Sequence, residues 1–177
     1  MAVTLTQNGV TFPNATSLLA AGAIVAVRWS YNHTRNIGDP GSSGGHVGPH
    51  LTMPPTKDSG SRYLIMGQGH WDDTNQNTAG GGLAVWTNVQ GISSYWVYKA
   101  GHHAKYDNHG GDKYRVVWTN VIDDGVNTTT IQANQVREYK LYGQSHNGNL
   151  NWNCGSGSPE GPGSRLVVIE FDGSVTS

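Results

Sequence analysis

From Ala23 the chain alternates, with Val25, Val27 and Trp29 pointing one way and Ala26, Arg28 and Ser30 the other, the period of two that marks a half-buried β-strand. The rows Leu83/Val85/Thr87/Val89 and Tyr114/Val116/Trp118 repeat the pattern. Further short apolar runs predict strands over His50 to Met53, Ser61 to Gly67, Gly82 to Val89, Ser94 to Lys99, Tyr114 to Ile122, Val136 to Gly143, Leu150 to Trp152 and Arg165 to Phe171. Clusters of Gly, Asn, Ser and Thr divide these runs, and no amphipathic helical segment lies between two of them to carry a parallel crossover. Many short strands joined by turns predict an all-β protein, an antiparallel jelly-roll-like β-sandwich. The run Leu166 to Phe171 is nearly continuous apolar sequence, which suits a central strand covered on both faces, one of them by another subunit.

Two segments break this rhythm. Residues 1–19 read as a short extended N-terminal arm, with Val3 to Thr6, an Asn8-Gly9 turn signal, and Val10 to Phe12 stopped by Pro13. The arm holds too few apolar residues to fold alone, so Val3, Leu5, Val10 and Phe12 are its candidate partner contacts, and residues 20–177 form the sandwich domain. From Asn32 to His50 the Gly-rich stretch Gly38 to Gly45 predicts a long surface loop.

Composition narrows the class. A chain of 177 residues without a compositional break is one domain, able to bury roughly 70% of the surface that its unfolded form exposes. Only 13% of residues are charged and the net charge is −1, so no basic field exists to hold nucleic acid. Gly, at 25 residues, is about twice as frequent as usual, in keeping with many turns. The single cysteine, Cys154, excludes an internal disulfide. The apolar stretch Leu18 to Val27 is too short to span a bilayer and lacks the basic flank of a signal peptide, so no membrane partner is expected. Six Trp and eight Tyr are a second pointer to subunit contact, since large amphipathic rings are enriched at interfaces. Trp29, Trp86 and Trp118 stand in strand rows and are expected in the core, whereas Trp71 and Trp152 lie at strand ends beside loops and are the candidates for a binding surface.

Candidate chemistry is sparse. Gly41 to Gly45 matches a nucleophile-elbow pattern by letters but sits in a loop, without the strand and helix that such an elbow needs. Asp123 and Asp124 are adjacent on a strand end, point apart, and read as a solvated turn before Gly125 rather than as a hydrolytic carboxylate pair. Asp72 to Asn77 places oxygen ligands at alternate positions but lacks the glycine and terminal glutamate of a calcium loop, so a polar hairpin tip is expected. His46 and His50 cannot share a metal on a helix, because Gly48-Pro49 forbids one. In a trimer His102 or His103 repeated about the axis would make a three-nitrogen ring; ordinary surface histidines are the preferred reading. No cofactor and no catalytic residue is expected.

Several segments resemble a known group. Gly9 to Thr16 is similar to the short segment that precedes the globular domains of marine and cyanobacterial phage structural and tail-fibre proteins. Leu51 to Ile65 resembles the passage into their second main strand, and Tyr139 to Tyr142, Leu150 to Asn153 and Gly163 to Glu170 resemble their C-terminal ending, with Ile169 where Met is usual. The resemblance implies a homotrimeric jelly roll of the tumour-necrosis-factor and complement-head type on a virion assembled in the host cytoplasm, with the major capsid protein or tail components as partners. With neither a heptad shaft nor a large adaptor domain in the sequence, the expected role is non-enzymatic capsid decoration or cement, the alternative being a tail-fibre tip that recognises host surface glycan through Trp71 and Trp152.

Overall fold

The computed structural model describes residues 4–6, 9–11, 24–32, 45–73, 80–98, 104–105, 114–125, 129–146, 150–152 and 163–173, with side chains described for 24–32, 45–70, 82–94, 96–97, 118–125, 129–143 and 163–173. The described residues contain strands and no helix: β1 (Thr4–Thr6), β2 (Gly9–Thr11), β3 (Ile24–Asn32), β4 (Gly45–Thr52), β5 (Arg62–Asp73), β6 (Gly80–Val89), β7 (Ser93–Tyr98), β8 (Ala104–Lys105), β9 (Tyr114–Asp123), β10 (Arg137–His146), β11 (Leu150–Trp152) and β12 (Ser164–Phe171). One sheet runs β3-β12-β5-β9, with β11 pairing the far end of β5; the other runs β4-β10-β6-β7, with β8 pairing the start of β6. All pairings are antiparallel.

This order has a simple origin. With the short β1, β2, β8 and β11 set aside, eight strands remain, and the first pairs the last (β3 with β12), the second the seventh (β4 with β10), the third the sixth (β5 with β9) and the fourth the fifth (β6 with β7). That is one long hairpin of four strand pairs, rolled up until β12 meets β5 and β10 meets β6. A hairpin rolled in this way is a jelly roll, so the chain is an all-β jelly-roll sandwich.

Burial follows the alternation. Leu83 and Val85 of β6, Tyr139 and Leu141 of β10, Leu51 of β4, Tyr63 and Ile65 of β5 and Leu166 and Val168 of β12 face each other between the sheets, with Met53 and Ile131 closing one end. Gly67 marks a close approach of the two sheets: a Cβ there would lie 2.6 Å from Leu141 Cδ1 and 2.8 Å from Thr119 Cγ2. β12 is central, as the apolar run predicts, with Ser164, Leu166, Val168 and Glu170 inside and Val167, Ile169 and Phe171 half-buried on the other side.

One expectation needs correction. The predicted Asn32–His50 loop ends earlier, since β4 starts at Gly45. It does so through a bulge: His50 pairs Lys140 and His46 pairs Tyr142, so three residues, Val47 to Pro49, oppose Leu141 alone. Gly48 takes φ +111°, a conformation that only glycine adopts without strain, and Pro49, lacking an N–H, is tolerated because β4 is an edge strand. Within the N-terminal segment the two short runs, β1 and β2, pair as an antiparallel ladder with Leu5 opposite Val10. Val3 and Phe12 lie outside the described residues.

Candidate functional site

Three regions depart from an ordinary sandwich: a charged cluster inside one end, and the outer faces of the two sheets.

The internal cluster starts from alternation on β10, where Arg137, Tyr139 and Leu141 share the inward face. The Arg137 side chain is fully buried, and its guanidinium donates to Asp123 Oδ2 at 3.0 Å, to the Thr129 carbonyl at 3.1 Å and to Gln135 Oε1 at 3.1 Å. The Tyr139 hydroxyl donates to the same Asp123 oxygen at 2.9 Å, while Asp123 Oδ1 accepts the Gly125 N–H at 3.2 Å. The guanidinium also lies 5.7 Å from the centroid of the Tyr63 ring, whose hydroxyl meets Thr56 Oγ1 at 2.7 Å. Burial pushes the Tyr139 and Tyr63 phenols well above their ordinary value of 10.0. Asp123 is therefore not the solvated turn residue that its neighbour Asp124 suggested: alternation turns Asp124 out and Asp123 into the core. The Arg137, Asp123, Tyr139, Tyr63 and Thr56 side chains of this cluster are all shut away from solvent.

The outer face of the β3-β12-β5-β9 sheet is apolar, with Val27, Trp29, Trp118 and Ile122 exposed on it. Register places Val27, Ile169, Leu64 and Ile122 in one row across four strands, and Trp29, Val167, Met66 and Asn120 in the next. A third row holds Tyr31, Arg165, Gln68 and Trp118, with the Arg165 guanidinium 5.2 Å from the Tyr31 ring centroid. Trp29 is 75% exposed, Ile122 63%, Trp118 59% and Val27 49%. A shallow groove of about 320 Å³, lined by Trp29, Ser30, Tyr31, Arg165, Leu166 and Val167, runs along the β3-β12 side.

These positions overturn the core assignment of three tryptophans. Trp29 and Trp118 face outward, because β3 turns Ala26 and β9 turns Thr119, Val121 and Asp123 toward the core. Trp86 is half-buried on the outer face of the second sheet, with the Lys140 ammonium 5.0 Å from its ring centroid.

Of the candidate binding residues, Trp71 and Trp152 stand directly opposite each other where β11 pairs β5; their side chains lie outside those described. His102 and His103 lie outside the described residues altogether, as does Cys154. Among the described residues no group of three His, Cys, Asp or Glu side chains is placed to hold a metal ion. No helix among them is long and apolar enough to cross a membrane.

The class defined here is a jelly-roll sandwich with one bare apolar sheet face. No protein-family model matches the chain, and no curated protein matches it in sequence. Among solved structures it is similar to a chain of the infectious bursal disease virus particle at 11% identity and a TM-score of 0.37, and to the VP2 protein of the same virus at 9% and 0.37. The matches cover 100% and 97% of this chain, which spans 40% of the length of each of those chains. It is also similar to a xylan-binding domain of Paenibacillus barcinonensis Xyn10C, at 8% identity and a TM-score of 0.26, over 85% of this chain and 94% of that one.

Proposed function

We propose that this chain is a non-enzymatic structural component of a virion, which trimerises through the outer face of its β3-β12-β5-β9 sheet and serves as a capsid decoration or cement protein. The observation that carries the reading is that bare face. Monomeric proteins rarely leave a contiguous apolar patch of more than a few hundred Å² in water, and here three rows of large side chains span four strands with Arg165 as their sole charge. Fully burying one side chain of the size of Ile122 contributes about 1.5–3 kcal/mol, so covering several of them against further copies drives association. The phage resemblance of the Gly9–Thr16, Leu51–Ile65 and Gly163–Glu170 segments supports the virion setting, and jelly rolls are a common fold of viral shells. In this reading the β1-β2 hairpin and the rest of residues 1–19 reach the major capsid protein, leaving residues 20–177 as the trimerising body.

Light scattering of the purified chain tests the assembly: the expected particle has three times the chain mass, and Trp29→Glu with Ile169→Lys returns it to one. A wild-type chain that stays monomeric at high micromolar concentration would sink the proposal. Cryo-electron microscopy of whole particles then tests the location, with density expected at positions of three-fold symmetry on the head.

A further inference from the structure

The second sheet shows water a surface of a different kind. Register places His46, Tyr142 and Ala84 in one row of its outer face, His50, Lys140, Trp86 and Trp96 in the next, and Thr52, Glu138, Asn88 and Ser94 in the third. Tyr142 is the hub of an aromatic cluster: its ring centroid lies 4.9 Å from Trp96 at an interplanar angle of 80°, 5.9 Å from His46 and 6.4 Å from Trp86. The β4 bulge sets this up, because without the extra residues around Gly48 the backbone of His46 would not pair with Tyr142. His46 Nε2 donates to the Pro49 carbonyl at 3.2 Å, which holds its ring at the edge of the cluster. Burial lowers the His46 pKa below its ordinary 6.5, which leaves the ring neutral at pH 7.

Around the rings stand both kinds of hydrogen-bonding partner. Lys140 donates, Glu138 accepts and sits 3.9 Å from His50, and Ser94 donates to Asn88 at 3.1 Å. The one ammonium and the one carboxylate among these residues cancel, so the face has no net field to hold an anionic polymer. No large aliphatic side chain stands in the three rows, unlike the Val, Ile, Leu and Met of the opposite sheet. Flat rings with a rim of mixed donors and acceptors and balanced charge match one ligand chemistry well: a pyranose ring, apolar on its C–H face and hydroxylated at its edge.

We infer that the outer face of the β4-β10-β6-β7 sheet binds a neutral polysaccharide, with Trp96 as the stacking platform, Trp86 flanking it with Lys140 over one side of its ring, and Lys140, Glu138 and Asn88 as hydrogen-bonding partners. This site is separate from the Trp71–Trp152 pair, which belongs to the other sheet, and it lies on the side of the sandwich opposite the proposed assembly face. It does not rest on that assembly. A chain held to its neighbours by one sheet would present sugar-binding surface on the other.

Affinity electrophoresis of the full chain in gels containing mannan, xylan or mixed-linkage glucan, with alginate as the charged control, tests the inference. Retardation by at least one neutral polysaccharide is expected, weakened at least ten-fold by Trp96→Ala and by Trp86→Phe. Both variants should still unfold in one cooperative transition well above the assay temperature and keep the wild-type mass in light scattering, and Asn88→Ala, which leaves every ring in place, should weaken binding several-fold. No retardation by any of the three, retardation by alginate alone, or retardation unchanged in the folded variants would overturn it. Loss of mass in the Trp96→Ala variant would also overturn it, by making this face a subunit contact instead. A monomeric wild-type chain that still binds the polysaccharide would remove the trimer and leave this site standing.

Discussion

The interior around Arg137 and the bare face around Trp29 invert the usual arrangement of a sandwich in opposite directions. One puts charge where aliphatic side chains belong, and the other puts indoles and aliphatic side chains where charge belongs. The difference lies in who supplies the partners. Arg137, Asp123, Tyr139, Gln135 and the Thr129 carbonyl hydrogen-bond one another within one chain. Among the described residues none covers Val27, Trp29, Trp118 and Ile122, and the other side of their sheet already faces the core. A buried polar cluster is closed when the chain folds, whereas an exposed apolar face is closed only by a second molecule.

The largest expected effect breaks the first half of this comparison. Asp123→Ala leaves the Arg137 guanidinium buried without its counter-charge and is expected to cost about 3–5 kcal/mol in urea unfolding. Replacing Arg137 and Asp123 together by Met and Leu should restore much of that loss, and a double variant no more stable than the single one would show that the cluster does more than neutralise itself. Next comes the face. Trp29→Glu with Ile169→Lys should weaken self-association at least 100-fold, about 2.7 kcal/mol, while the unfolding free energy of the separated chain changes less than this, because Trp29 already meets water and Ile169 is only half-buried. A large loss of monomer stability would mean that the face is covered within the chain.

Gly67→Ala probes the tight interior of the same sheet and should cost about 1–3 kcal/mol by forcing Leu141 and Thr119 aside. The smallest effect is on pH dependence. Burial raises the Tyr139 phenol above 10.0, so the unfolded chain ionises it first as pH climbs. Its contribution to stability is therefore complete below pH 10 and is lost as pH rises toward the folded value. Tyr139→Phe should flatten the alkaline decline, removing about 1.4 kcal/mol of the loss in unfolding free energy between pH 9 and 11; an unchanged decline would show that this phenol does not govern it.

Most strand positions were legible because alternation survives in the sequence whatever the partners are. Gly82–Val89 and Tyr114–Ile122 lie almost wholly within β6 and β9, and the inward row Leu83, Val85, Thr87 and Val89 was legible too. The facing of β3 and β9 was not. A period of two tells which residues share a side and not which side is inside, and on these strands the outer side is the more apolar one. The burial of Arg137 left a signal that was missed, since it alternates with Tyr139 and Leu141 on a run whose other face is Glu138, Lys140 and Tyr142. The aromatic face of the second sheet left none, because Trp86, Trp96, Tyr142 and His46 come from three separate strands plus a bulged fourth.

What the amino-acid sequence determined alone is local: strands rather than helices, turns between them, and an apolar final strand fit for the middle of a sheet. Side-chain alternation and turn chemistry act over a few residues, and they need no knowledge of distant partners. Which strands pair, which face of each is buried, and therefore which tryptophans reach water were decided only when the long hairpin rolled up. Those outcomes depend on contacts between residues a hundred or more positions apart, such as Trp29 with Val167 across β3 and β12, and no local pattern encodes them.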